Sequence, residues 1–155
     1  MAGFELSSAG ITLRYAIEAS VGVRPTSGYT ILPGCKSIPD YNPEPNMLPV
    51  TDLSDEQFHR YIAGLRDIGG SVAFTFNDTD PLHDRWEQLI IDYEAARQNE
   101  LAMWFAIVHR LRPKSFYFIG EPTPLGLSAI TVDTVLEIDA YISPVFIHGR
   151  DLRPT

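Results

Sequence analysis

The chain has 155 residues, 45% of them hydrophobic, which is enough for one domain with a proper core and no low-complexity block. Its formal net charge of -8 argues against tight phosphate binding, which depends on Lys and Arg neutralising phosphates. A single cysteine, Cys35, cannot form an internal disulfide and reads as a small, partly buried residue.

The first ten residues lack a basic stretch followed by an apolar run, so no signal peptide is expected. No apolar run approaches the roughly 20 residues of a membrane span. A cytoplasm-like compartment is therefore expected for synthesis.

Ile11 to Glu18 alternates as a strand, with Leu13, Tyr15 and Ile17 on one face. Val23 to Gly28 is a turn region, and Tyr29 to Leu32 a short strand stopped by Pro33-Gly34. Cys35 to Ile38 is a candidate pairing segment. Between Pro39 and Pro49, four prolines and two asparagines exclude helix and leave an extended or turning backbone. Met47 to Leu53 is a candidate strand edge. Ser54 followed by Gln57 has capping-box character, so a helical turn through Phe58, Tyr61 and Ile62 competes with an irregular loop. Gly64 and Gly69-Gly70 end that segment.

Ser71 to Asn77 is the clearest strand, with Val72, Phe74 and Phe76 on its core face. Asp80-Pro81 reads as a helix start, Asp80 as N-cap and Pro81 in the first turn. Leu82, Trp86, Leu89, Ile90 and Tyr93 then recur at helical spacing and form a packing stripe. Leu101 to Val108 is apolar on both faces and so covered on both sides. Arg110 to Lys114 turns the chain into an aromatic strand, Ser115 to Ile119, and Glu121 to Gly126 is a loop. Val132 to Ser143 reads as a long strand, with Thr134, Leu136, Ile138, Ala140 and Ile142 on one face and Asp133, Val135, Glu137, Asp139 and Tyr141 on the other. Pro144 should end it or mark a bulge, and Val145 to Ile147 is a possible edge continuation. The sum is a mainly β fold, a sandwich or barrel over residues 1–155, with one flanking helix and one oversized loop.

Catalytic signatures are missing. His59, His83, His109 and His148 lie far apart and read as surface residues without metal-ligand spacing. Asp78, Asp80 and Asp84 lack the central Gly and closing Glu of a calcium loop and fit a helix N-terminus better. Neither a phosphate loop nor a nucleophile elbow is present. The expectation is a non-enzyme with no cofactor and no metal. The carboxylates Asp133, Glu137 and Asp139 read either as a solvated face or as part of an acidic wall. Glu18 is a weaker member of such a wall, because Arg14 shares its face.

From Ile31 to Asn77 the chain carries four phrases in a fixed order. They are Leu32-Pro33-Gly34 leading to Ile38-Pro39-Asp40, Val50-Thr51-Asp52-Leu53-Ser54-Asp55, Arg60-Tyr61-Ile62-Ala63-Gly64-Leu65-Arg66-Asp67 closed by Gly69, and Val72 followed by Phe74-Thr75-Phe76-Asn77. This order resembles the major tail tube proteins of long, flexible-tailed phages, with Leu32 where that pattern has Ile. The helix and the long last strand fall in the same order. The resemblance implies a virion tail subunit, assembled in the host cytoplasm, with six copies per ring and rings stacked around a genome channel. Implied partners are further copies of itself, a tape measure protein, a tail terminator and distal tail or baseplate proteins, with DNA passing through unbound. It also implies that Pro39 to Gly69 reaches the neighbouring ring, with Asp40, Tyr41, Asn42, Phe58, Tyr61, Ile62 and Leu65 as contacts. Asp133, Glu137 and Asp139 would then line the channel. The same fold serves contractile-tail and type VI secretion tubes. A small β-barrel ligand carrier or enzyme is the reading from a different class.

Overall fold

A computed structural model describes residues 5–66 and 70–155. Nine strands and one helix are defined among them. Seven strands build one sheet: β1 (Ile11–Ile17), β2 (Thr30–Leu32), β3 (Cys35–Ser37), β6 (Val72–Asn77), β7 (Met103–His109), β8 (Lys114–Pro122) and β9 (Glu137–Leu152). Their order is β2-β1-β7-β8-β9-β6-β3, and each neighbouring pair is antiparallel. The edge strands β2 and β3 are separated in sequence only by Pro33 and Gly34. That turn needs Gly34 at φ 78, and Asn77 N–H donates to Gly34 O at 2.9 Å. Joining the two edges rolls the sheet into a nearly closed barrel.

The alternation expected for β1 and β6 places Leu13, Tyr15, Phe74 and Phe76 inside. Phe105 and Phe118 stack at 5.2 Å between ring centroids, and Phe74 lies 6.1 Å from Phe118. These rings fill the barrel. β7 is buried on both faces, as its sequence requires: Met103 and Phe105 belong to the inner cluster, Trp104, Ala106 and Val108 to an outer one with Tyr117.

The helix α1 (Asp80–Gln98) is capped one residue earlier than the sequence suggests. Thr79, not Asp80, holds extended backbone, and its hydroxyl accepts from Leu82 N–H. Asp80 sits in the first turn instead, where a carboxylate suits the helix dipole. Leu82, Trp86 and Leu89 join the barrel core, with Ile90 and Tyr93 packed against it. Trp86 donates from Nε1 to Thr123 O at 2.8 Å, and Tyr15 Oη donates to Asp92 at 3.3 Å. Among the described residues no helix is long and apolar enough to cross a membrane.

The last strand departs most from expectation. It begins at Glu137, not Val132, and continues through Pro144 to Leu152. Its first part pairs with β6 and its second with β8, with Ile142 opposite both Val72 and Pro122. Register shifts opposite Tyr117–Phe118 and Ile119–Gly120 bend it from one partner to the other. Pro144 lies at the second shift, where its missing N–H is tolerated. Gly120 permits the crossing: a Cβ there would lie 2.5 Å from Ile142 Cγ2.

The remaining two strands, β4 (Pro45–Pro49) and β5 (Tyr61–Arg66), form a separate two-stranded sheet. The oversized loop is therefore largely a β-hairpin arm, and no helical turn forms after Ser54. Prolines are tolerated because both strands of a ribbon are edges.

Candidate assembly surfaces

Leu48 pairs with Ile62 and Pro49 with Tyr61 in the arm. Gly64 is needed for close approach, since a Cβ there would meet Asn46 O at 2.9 Å. At the tip, Asp55 accepts from Arg60 Nε at 2.9 Å, and Val50 N–H donates to Arg60 O at 2.9 Å. The arm is thus ordered by its own hydrogen bonds. A free two-stranded ribbon is only marginally stable in water, so this one needs a surface to lie against.

The seven arm residues singled out from sequence divide into two groups. Phe58, Tyr61, Ile62 and Leu65 are exposed, at 79%, 54%, 52% and 86%. Asp40 and Asn42 stay at the root, where Asn42 N–H donates to the Asp40 carboxylate at 2.7 Å. Tyr41 turns inward: its ring lies 4.8 Å from Phe118 and 5.7 Å from Phe116. Burial pushes its phenol well above the usual tyrosine range. Tyr41 therefore anchors the arm to the core and is not a free contact residue. The expected far boundary, Gly69, lies outside the described residues.

The expected row of three carboxylates is broken by the late start of β9. Asp133 lies outside the strand in a turn, at φ 58. Glu137 and Asp139 do share the outer face of β9, opposite the inward Ile138 and Ala140. Both are engaged: Glu137 forms an ion pair with Lys36, and Asp139 accepts from Thr75 Oγ1 at 2.9 Å. Glu18 leaves the acidic wall altogether. It is 3% exposed and accepts from Ala102 N–H at 3.0 Å and Trp104 Nε1 at 2.9 Å. The Trp104 side chain, from the residue opposite Ala16 on β7, lies on the face that alternation made wet.

His109 is likewise buried, not on the surface. Its Nε2 donates to Ser7 O at 2.8 Å, and its Nδ1 accepts from Leu111 N–H at 3.1 Å, which fixes the neutral Nε2–H tautomer. His83 pairs with Asp78 and His148 with Asp151. Among the described residues no group of three His, Cys, Asp or Glu side chains is placed to hold a metal. Burial raises the Cys35 thiol to about 11, as suits a packed residue.

One feature was missed from sequence. At the β7–β8 turn a cavity of about 420 Å³ is lined by His109, Arg112, Lys114 and Arg150 over Ile107 and Phe116. The signal was present: residues 103–120 contain Arg110, Arg112 and Lys114 and no Asp or Glu.

No family model matches the chain, and no curated protein matches it in sequence. Among solved structures, its fold is similar to that of a chain in the cryo-EM structure of the anti-feeding prophage baseplate, symmetrised six-fold. The TM-score is 0.57 over 94% of this chain and 95% of that one, at 7% identity. At that identity the likeness is one of fold.

Proposed function

We propose that the chain is a structural subunit of a phage-type tail, and within that class a major tail tube protein. Six copies would close a ring, rings would stack, and the bore would pass the genome. The observation that carries this is the arm: a ribbon with Phe58, Tyr61, Ile62 and Leu65 exposed, rooted by Tyr41 in a barrel whose fold recurs along nearly the whole of a prophage baseplate chain. A ribbon of that composition is built to be covered by another chain. Glu137 and Asp139, on the outer barrel face, are the candidates for an acidic bore, with Asp133 removed from that row. Tape measure, terminator and distal tail proteins would meet the ends of the tube, in a virion tail assembled in the host cytoplasm. The reading carries no enzymatic step and no cofactor.

Negative-stain microscopy of the purified protein tests it. Hollow tubes or six-fold rings are expected, and a monodisperse monomer at high concentration would refute the reading. The baseplate origin of the structural neighbour also favours a second reading, the inner tube of a contractile tail or secretion-type machine. Co-purification of a sheath protein with the tubes from infected or induced cells would select it over the flexible tail.

A further inference from the structure

Successive antiparallel strands exchange ends, so the β7–β8 turn and the β8–β9 connection lie at opposite ends of the barrel. The two ends differ in charge. At the first, Arg110, Arg112 and Lys114 are joined by Arg150 and Arg153 from the end of the chain. Among the described residues none of these five forms an ion pair, although the chain carries a net charge of -8. Three of them rim the cavity of about 420 Å³, whose floor is apolar through Ile11, Ile107 and Phe116. A rim of unpaired cations over an apolar floor suits an occupant that carries both a carboxylate and aliphatic groups.

The opposite end offers such an occupant. The connection between Pro122 and Glu137 has no strand and exposes Val132 at 88% and Val135 at 70%. Between them Asp133 holds φ 58, the left-handed conformation that turns the chain and that Asp adopts more readily than most non-glycine residues. The Thr131 and Thr134 hydroxyls, 3.0 Å apart, close the turn. Nothing within the chain uses the Asp133 carboxylate among the hydrogen bonds and ion pairs of the described residues.

We infer that the Val132–Val135 turn of one copy docks in the Arg112/Lys114/Arg150 cavity of the next copy along the barrel axis. The inference rests on the tube reading and names the residues that set its polarity. Because the two surfaces differ, the contact is heterologous and does not close on itself; it propagates as a stack. Like ends repel, basic against basic, so charge also selects head-to-tail over head-to-head contact.

A charge-swap pair tests this. Asp133→Lys and the double variant Arg112→Glu/Arg150→Glu are purified separately, and circular dichroism and Tm establish that each is folded. Tube yield is then read by sedimentation and microscopy. Each variant alone is expected to lose at least about tenfold in tube yield. An equimolar mixture is expected to recover it, because the lysine introduced in the turn then faces the two glutamates introduced in the cavity. The charge-conserving Arg112→Lys/Arg150→Lys variant should assemble like wild type. Wild-type tubes with undisturbed variants would overturn the pairing and leave the tube reading standing. Loss in the cavity variant alone would assign the cavity to another occupant and overturn it too. A wild-type protein that makes no tubes would remove both.

Discussion

Trp104 donates its indole N–H to Glu18 Oε2 at 2.9 Å, across the pair formed by β1 and β7. The other oxygen accepts from Ala102 N–H, so one buried carboxylate satisfies two donors at the end of β1. Glu18→Ala strands both. The expected cost is about 2–6 kcal/mol, since each of the two buried donors left without an acceptor costs about 1–3 kcal/mol. Glu18→Gln keeps one acceptor and turns its amide N–H2 toward the other donor, so one donor stays stranded at a cost of about 1–3 kcal/mol. Urea unfolding measures both, and an alanine cost under about 1 kcal/mol would mean that water reaches both donors.

Tyr41 makes an opposite prediction for its two halves. The ring packs on Phe74, Phe116 and Phe118, while its hydroxyl is buried with no hydrogen-bond partner among the described residues. Tyr41→Phe removes a desolvated hydroxyl and should be neutral to about 1 kcal/mol stabilising. Tyr41→Ala should cost about 3–5 kcal/mol, the range for emptying a large aromatic site. A Phe variant destabilised by more than about 1 kcal/mol would place a partner on the hydroxyl.

Local periodicity carried the barrel and the helix, because the inward residues of β1, β6 and β7 and the Leu82/Trp86/Leu89 stripe are decided by near neighbours. The arm was only partly legible for the same reason: Met47 to Leu53 reads as a strand edge, which overlaps β4, but the hairpin it belongs to does not show. Its strands are defined by Leu48 meeting Ile62, whereas Pro45, Pro49 and the Ser54–Gln57 box speak locally for loop or helix. Alternation also overran into Val132 and Thr134, where Asp133 turns the chain. Glu18 looked solvated because its donor, Trp104, lies 86 residues away. Exposed surfaces were partly readable: Phe58 and Leu65 stood out as apolar residues in a polar segment, but Tyr41 could not be told from them without the core it enters.

Asp151 sets an acid-side dependence. The His148 ring, the Leu152 N–H and the nearby Arg24 guanidinium hold its carboxyl down to about 2. A depressed carboxyl contributes stability that is complete above its unfolded value of about 3.9 and is lost as pH falls through the folded one. Tm should therefore fall between about pH 4 and pH 2, and Asp151→Asn should flatten that limb. The effect is small, because the group is solvent-exposed and its pairs are screened. An Asn variant with an unchanged acid limb would assign the loss to other carboxylates.

The arm predicts a separation of folding from assembly. Phe58 and Leu65 are 79% and 86% exposed, so Phe58→Ser with Leu65→Ser should shift subunit stability by no more than about 0.5 kcal/mol. Tube formation should be abolished, because the ribbon loses the apolar groups that another chain would cover. Sedimentation of the double variant beside wild type gives the answer. Normal tubes would show that the arm is not the stacking element.

The proposed acidic bore predicts what happens when its sign is reversed. Glu137 and Asp139 project from one face of β9, away from the core, so Lys at either position stays outside the packed interior, and Asp139→Lys gives up the hydrogen bond from Thr75. Glu137→Lys does meet Lys36, its present ion-pair partner, and converts that pair into two adjacent cations. In the proposed tube, repulsion from the wild-type wall would be screened over about 8 Å at physiological salt, enough to prevent sticking at close range without closing the bore. In the Glu137→Lys/Asp139→Lys tube the wall instead captures phosphates, and each neutralised phosphate steepens the salt dependence of binding. The double variant is expected to assemble and to slow or stall genome ejection from tails that carry it. In vitro, its tubes should retain short duplex DNA at low salt and release it as salt rises, while wild-type tubes retain none. Normal ejection together with no DNA retention would place Glu137 and Asp139 on the outside of the ring, because a cationic wall in contact with the genome cannot leave both readouts unchanged.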